Sequence, residues 1–183
     1  KQPFPTRGSS SLCFQVPALV QEGICIVVSP LVALMTDQVN TLKSKGIKAL
    51  SITGGISYRD LNILLDNAIY GKYKFLYLSP ERLKQELVQN AIREMNVNLF
   101  AIDEAHCISQ WGNDFRPAYK NVNVLRTLHP LVPFIALTAS ATPEVLKDTL
   151  IQLNLEEPAI YKSSFARKNL SYQVFKEDDK LYR

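Results

Sequence analysis

The run KFLYLSPERLKQELVQNAIREMNVNLFAIDEAH, residues 74–106, decides the fold. It opens with KFLYLS (74–79), oily at almost every position, which is the mark of a strand covered on both faces. Leu83, Leu87, Val88, Ala91, Ile92 and Met95 then recur at three- and four-residue spacing, the stripe of a helix lying on a sheet. A second apolar run, NLFAI (98–102), follows and ends in two adjacent acids, Asp103 and Glu104. Strand, helix and strand in this order predict a parallel pair joined by a crossover.

The same alternation extends in both directions. ICIVVS (24–29), ALSIT (49–53) and PFIALT (133–138) are further strand candidates. Leu31, Leu34, Met35, Val39 and Leu42 form another helical stripe. Repeated strand–helix–strand units with short connections imply right-handed crossovers and an α/β fold with a doubly wound parallel sheet. Ligands of such sheets bind at the carboxyl ends of the strands. The unusual clusters lie there: SPLVALMTDQ after the first strand, SPERL after the third, DEAH after the fourth and TASAT after the fifth.

Composition narrows the class. The chain has 183 residues, enough for one well-buried domain, and is 46% hydrophobic and 21% charged, the balance of a globular protein rather than a disordered one. Its longest oily stretches fall far short of the roughly 20 residues a membrane helix needs, so no membrane partner is expected. Cys13, Cys25 and Cys107 are odd in number and widely spaced in apolar surroundings, which suits reduced thiols in an intracellular protein, cytoplasmic or nucleoid in a bacterium and nuclear in a eukaryote. The net charge of +4 permits nucleic-acid binding without arguing for it.

Placing two acids at the end of an apolar run is costly unless something neutralises them. A metal ion with phosphate oxygens does so: one acid can hold Mg²⁺ through water while the other orients and deprotonates an attacking water. His106 can link that site to the next strand end, where Thr138, Ser140 and Thr142 offer hydroxyls. The plainer alternative is that Asp103 and Glu104 only cap the following helix.

The segments DEAHCISQWGNDFRPAY, SPLVALMTDQV, YLSPERL and LTASAT together resemble the first RecA-like motor domain of RecQ-type DNA helicases, over most of the chain from about Leu12 to Val174. The resemblance implies a RecA-like P-loop NTPase domain over 1–156, its N-terminus incomplete or altered, and a junction towards a second motor domain of the same parent chain over 157–183. It implies ATP and Mg²⁺ as cofactors, single-stranded and partly duplex DNA as partner, and unwinding in the 3′ to 5′ direction in recombination and repair. Glu104, Asp103 and His106 match the catalytic motif, with Asp103 and Ser11 as metal contacts. Thr6, Gly8, Ser10 and Ser11 match the phosphate loop. Gln110, Trp111, Asn113, Asp114, Phe115 and Arg116 match the aromatic-rich loop that senses single-stranded DNA, and Ser140 and Thr142 match the segment coupling nucleotide state to unwinding. Ser29 to Gln38 and Ser79 to Leu83 resemble segments that track the DNA backbone with serine hydroxyls and helix N-termini, while Pro30 and Pro80 also suit a first helical turn.

Trp111 and Phe115 offer flat faces for base stacking and Arg116 a charge for phosphate. The alternative is that both rings are core aromatics, against which stand their polar neighbours Gln110, Asn113 and Asp114. Two departures from the family pattern bear on function. Where it reads Thr-Gly-Gly-Gly-Lys-Ser, this chain has Arg7 at the first glycine, Ser9 at the third and Ser10 at the lysine. An incomplete stretch, a loss of activity and substitution by Arg7 are the three accounts of that change. Asn113 stands where the family generally has histidine, which keeps a hydrogen-bonding group but removes a protonatable one. Against the helicase reading stands a catalytically inactive DNA-binding or partner-binding module of the same fold.

Overall fold

The structure is a computed structural model and describes residues 11–162. Five strands form one parallel sheet: β1 (Ile24–Val28), β2 (Ala49–Ile52), β3 (Phe75–Leu78), β4 (Val97–Ile102) and β5 (Phe134–Ala136), in the order β2-β3-β1-β4-β5. Between and around them run α1 (Leu12–Val20), α2 (Val32–Ser44), α3 (Tyr58–Tyr70), α4 (Glu86–Glu94), α5 (Val124–Leu128) and α6 (Pro143–Gln152). The chain leaves β1 towards one edge and β4 towards the other, so the crevice between these two neighbours is the switch point of the sheet.

Side-chain alternation along β1 builds both layers of the core. Cys25 and Val27 face Phe14 and Ala18 of α1 and Met35, Val39 and Leu42 of α2. Ile24, Ile26 and Val28 face the opposite layer, with Leu61 and Leu65 of α3, Val88 and Ile92 of α4 and Leu125 of α5. Every residue of β1, β3 and β4 is buried, as their unbroken apolar runs predict. Burying each such aliphatic or aromatic side chain contributes about 1.5–3 kcal/mol. β5 is shorter than its apolar run suggests and only half-buried, because it lies at the sheet edge. Phe134 anchors it, with its ring 5.0 Å from Phe100 and under the Arg126 guanidinium at 4.2 Å.

Three sequence expectations change in the folded chain. Leu83 is not on the same helix as Leu87: it belongs to a 3-10 turn, Pro80–Lys84, and the extended Gln85 separates that turn from α4. Pro80 does open the turn, whereas Pro30 precedes α2, which starts at Val32. The β4–β5 connection contains no long helix; two 3-10 turns, Ala105–Ile108 and Pro117–Asn123, lead into the short α5.

Asn98, a polar residue inside a buried strand, donates through Nδ2 to the carbonyls of Ala18 at 3.1 Å and Gln21 at 3.4 Å. It satisfies carbonyls at the end of α1 that have no partner within the helix. It also pins that end beside the start of β4, so α1 runs back along the sheet and its head, Ser11, lies towards the carboxyl edge.

Gly23 makes the turn from α1 into β1 at φ +105°, and a Cβ there would collide with the carbonyl oxygen of Asn96. That carbonyl accepts the Ile24 N–H at 2.9 Å, so the close approach is part of the sheet. Gly23→Ala is expected to cost about 1–3 kcal/mol. Gly46→Ala, at φ +75° with nothing within 4 Å, should cost about 1 kcal/mol. Urea unfolding midpoints of the two variants test the order.

Candidate functional site

Asp103 is the first residue beyond β4, and its N–H donates to the Val28 carbonyl at 2.9 Å, the last rung joining β4 to β1. The rung sets Asp103 against Ser29, the residue after β1. Ser29 is buried, and its hydroxyl donates to Asp103 Oδ2 at 3.4 Å. It therefore faces inward rather than outward to a phosphate. Asp103 Oδ1 accepts the Glu104 N–H at 3.0 Å, and the buried Tyr119 hydroxyl donates to the Asp103 carbonyl at 2.8 Å. Burial first, and then the charge of Glu104, hold the Asp103 carboxyl above the usual carboxylate range.

Glu104 adopts φ 47° and ψ 45°, left-handed geometry that a residue with a Cβ occupies at a cost of about 1–2 kcal/mol. The twist turns the chain sharply into the Ala105–Ile108 turn. No side-chain cap is made there, so the acid pair does not serve as a helix cap. The strain instead directs the Glu104 side chain, about a third exposed, out of the strand end.

His106 is buried and stands between three groups. Its Nδ1 pairs with the Thr138 hydroxyl at 2.8 Å and lies 3.5 Å from Glu104 Oε2, while Nε2 lies 3.6 Å from Asp114 Oδ2. The imidazole thus joins the acid pair to the end of β5 on one side and to the tryptophan-containing loop on the other. Beside it, burial pushes the Cys107 thiol up to about 11, keeping it protonated and inert at neutral pH.

The loop that follows is open to solvent. Trp111 is 77% exposed, which excludes a core role, and Phe115 is half-buried. Gln110, Asn113, Asp114 and Arg116 are exposed. Arg116 is held at both ends of its length: its N–H donates to the Cys107 carbonyl at 2.8 Å and its guanidinium to the Pro30 carbonyl at 3.2 Å. Of the hydroxyls after β5, only Thr138 reaches His106. Ser140 is exposed and donates its N–H to Thr138 Oγ1 at 3.2 Å; Thr142 caps α6 by accepting the Val145 N–H at 3.3 Å. Ser11 heads α1, its carbonyl accepting the Gln15 N–H at 2.9 Å. Thr6, Gly8 and Ser10 lie outside the described residues, as do Arg7 and the SFARKNLSYQV segment.

Sequence reasoning set Ser29 against the DNA backbone rather than beside Asp103, and gave Tyr119 no role of its own. Ser29 becomes visible only once β1 and β4 are known to be neighbours; Tyr119 reads as the end of a loop motif until its hydroxyl is placed under Asp103.

Among the described residues no group of three His, Cys, Asp or Glu side chains forms a metal cage. Two adjacent carboxylates suit Mg²⁺, which keeps its waters and is held by one or two carboxylates with substrate phosphates. Among the same residues no helix is long and apolar enough to cross a membrane.

A parallel sheet with its acid pair at the switch point, a histidine relay to the next strand end and an exposed aromatic loop beside it is the frame of a RecA-like motor domain. The chain belongs to the DEAD/DEAH box helicase family, whose profile matches residues 11–149. It is 45% identical over 178 residues to the ATP-dependent DNA helicase RecQ of Bacillus subtilis, covering 97% of this chain and 30% of that protein. It is 41% identical to the RecQ-like DNA helicase BLM of Xenopus laevis, covering 97% of this chain and 14% of that one. The Hef helicase domain of Pyrococcus furiosus shares the fold, with a TM-score of 0.57 at 22% identity over 80% of this chain and 30% of the other.

The raised proton affinity of Asp103 has a sign for stability. The folded chain binds that proton more tightly than the unfolded chain, so the ionised carboxylate costs stability at neutral pH, a cost relieved as pH falls through the raised value. Asp103→Asn is expected to raise the Tm of the nucleotide-free chain at pH 7. The advantage should shrink as pH approaches about 4. Calorimetry across that range tests it; a lower Tm for the variant at pH 7 refutes the assignment.

Proposed function

We propose that residues 1–156 are the first motor domain of a RecQ-type ATP-dependent DNA helicase and that 157–183 lead towards a second motor domain of the same parent chain. The parent binds single-stranded and partly duplex DNA and uses ATP with Mg²⁺ to unwind the duplex, moving 3′ to 5′, in recombination and repair. The observation that carries this reading is the path from Asp103 and Glu104 through His106 to Asp114, which stands on the same loop as the exposed Trp111. It connects carboxylates suited to phosphate chemistry with a surface suited to bases.

Each residue has a part in this reading. Asp103, fixed by Ser29 and the Glu104 N–H, is the carboxylate that would hold Mg²⁺, with Ser11 as the second contact. Bound there, Mg²⁺ would supply charge neutralisation for the β- and γ-phosphates. Glu104 orients and deprotonates the attacking water, a role its outward left-handed placement favours. His106 holds the Glu104 carboxylate and the Thr138 hydroxyl in one arrangement and senses Asp114. Trp111 and Phe115 stack on bases and Arg116 meets a phosphate, while Gln110 and Asn113 add polar contacts. Ser140 and Thr142 report nucleotide state to α6. Thr6, Gly8, Ser10 and Ser11 contact the phosphates of ATP.

A second reading, a catalytically inactive DNA-binding or partner-binding module, is favoured by one observation: Ser10 stands where the family's phosphate-binding lysine belongs. Turnover by the full-length parent separates the two. Glu104→Gln is expected to lower DNA-stimulated ATP hydrolysis by at least about 100-fold. Trp111→Ala should lower the stimulation by single-stranded DNA about 10-fold, the scale of one lost stacking contact. A parent without turnover supports the inactive module; full stimulation in Trp111→Ala removes the loop from DNA sensing.

A further inference from the structure

Ser109 is fully buried and is the last residue held by the DEAH turn before the chain enters the exposed loop; its N–H donates to the His106 carbonyl at 3.0 Å. Its hydroxyl makes two bonds. It donates to Asp148 Oδ2 at 2.6 Å and accepts the Trp111 N–H at 3.2 Å. Asp148 lies on α6, and its other oxygen accepts from Gln152 at 3.3 Å. The helix begins at Pro143 and is capped by the hydroxyl of Thr142, the last residue of TASAT. Gly112 also meets this helix: a Cβ there would lie 3.9 Å from the buried Val145.

The indole of Trp111 is 77% exposed and borders an open groove along Glu144, Lys147, Asp148 and Ile151 of α6, so its place on that helix depends on how its backbone is held. That backbone is tied, through one shared hydroxyl, to the helix that starts at the TASAT segment. We infer that the Ser109–Asp148 hydrogen bond is a positioning clamp that couples the tryptophan loop to α6, so that DNA held at Trp111 is felt at the nucleotide site through this helix as well as through His106. A short charge-assisted bond shared by two elements holds their relative position more firmly than either loop turn does alone. Neither side chain touches substrate in this account; both act through Trp111. The inference rests on the proposed DNA-stimulated ATPase.

The test uses the full-length parent with an oligothymidylate as the DNA. Asp148→Ala is expected to raise the oligothymidylate concentration for half-maximal ATPase stimulation by about 10-fold and to leave unstimulated turnover unchanged. Asp148→Asn, which keeps an acceptor oxygen, should stay within about 3-fold of the parent, and Ser109→Thr, which keeps the hydroxyl, likewise. Ser109→Ala combined with Asp148→Ala should be no worse than Ser109→Ala alone, since that change already removes the bond to Asp148. If Asp148→Ala leaves stimulation within about 2-fold of the parent, or lowers unstimulated and stimulated turnover by one common factor, the clamp is overturned. Trp111→Ala distinguishes the two levels of failure. Lost stimulation in Trp111→Ala with intact stimulation in Asp148→Ala overturns the clamp alone; intact stimulation in both overturns the loop's role and the clamp with it.

Discussion

The hydrogen bond from the Asp103 N–H to the Val28 carbonyl is the constraint on which the site depends. It extends the β1–β4 ladder one residue past β4, onto the last carbonyl of β1, and so brings Ser29 and Asp103 together at the switch point. Parallel pairing gives no freedom here: a slip of one residue would exchange the faces of every side chain in β4 and put Asp103 among the apolar residues. Both strands are buried on two faces, so the register is enforced by the whole core rather than by the site.

Beyond that rung the chain gives up regular structure. Glu104 turns left-handed, a 3-10 turn carries His106 and Cys107, and the main chain of Arg116 returns to bond the Cys107 carbonyl. Each departure from regular structure costs something locally, and the surrounding contacts compensate: Tyr119 beneath Asp103, Thr138 against His106, Arg116 on Pro30. The result is a set of side chains that point out of the sheet while their backbones are tied to three neighbouring strand ends.

Within this arrangement the buried polar groups and the exposed aromatic have opposite physical roles. Asp103, His106 and Ser109 are desolvated and accept few geometries, because an unpaired polar group in the interior is costly. Trp111 stands in solvent on a loop whose base is rigid. A rigid base beneath an open aromatic surface lets an event at the surface displace the buried groups as a unit.

The strands, their parallel order and the carboxyl-end placement of the motifs were legible in the amino-acid sequence, since period and apolar continuity report burial directly. The acid pair, His106 and the tryptophan loop were legible as motifs. The break between Leu83 and Leu87, the short half-buried β5 and the missing long helix before it were not, because spacing alone does not register an extended Gln85 or an edge position. The contacts of Ser29, Tyr119 and Asp148 were likewise illegible: their partners lie 74, 16 and 39 positions away, and only the packed sheet brings them within hydrogen-bonding distance. Local sequence thus determined which chemistry the strand ends carry. Tertiary structure decided which of those ends are neighbours, because pairing between distant strands depends on the packing of both core layers at once.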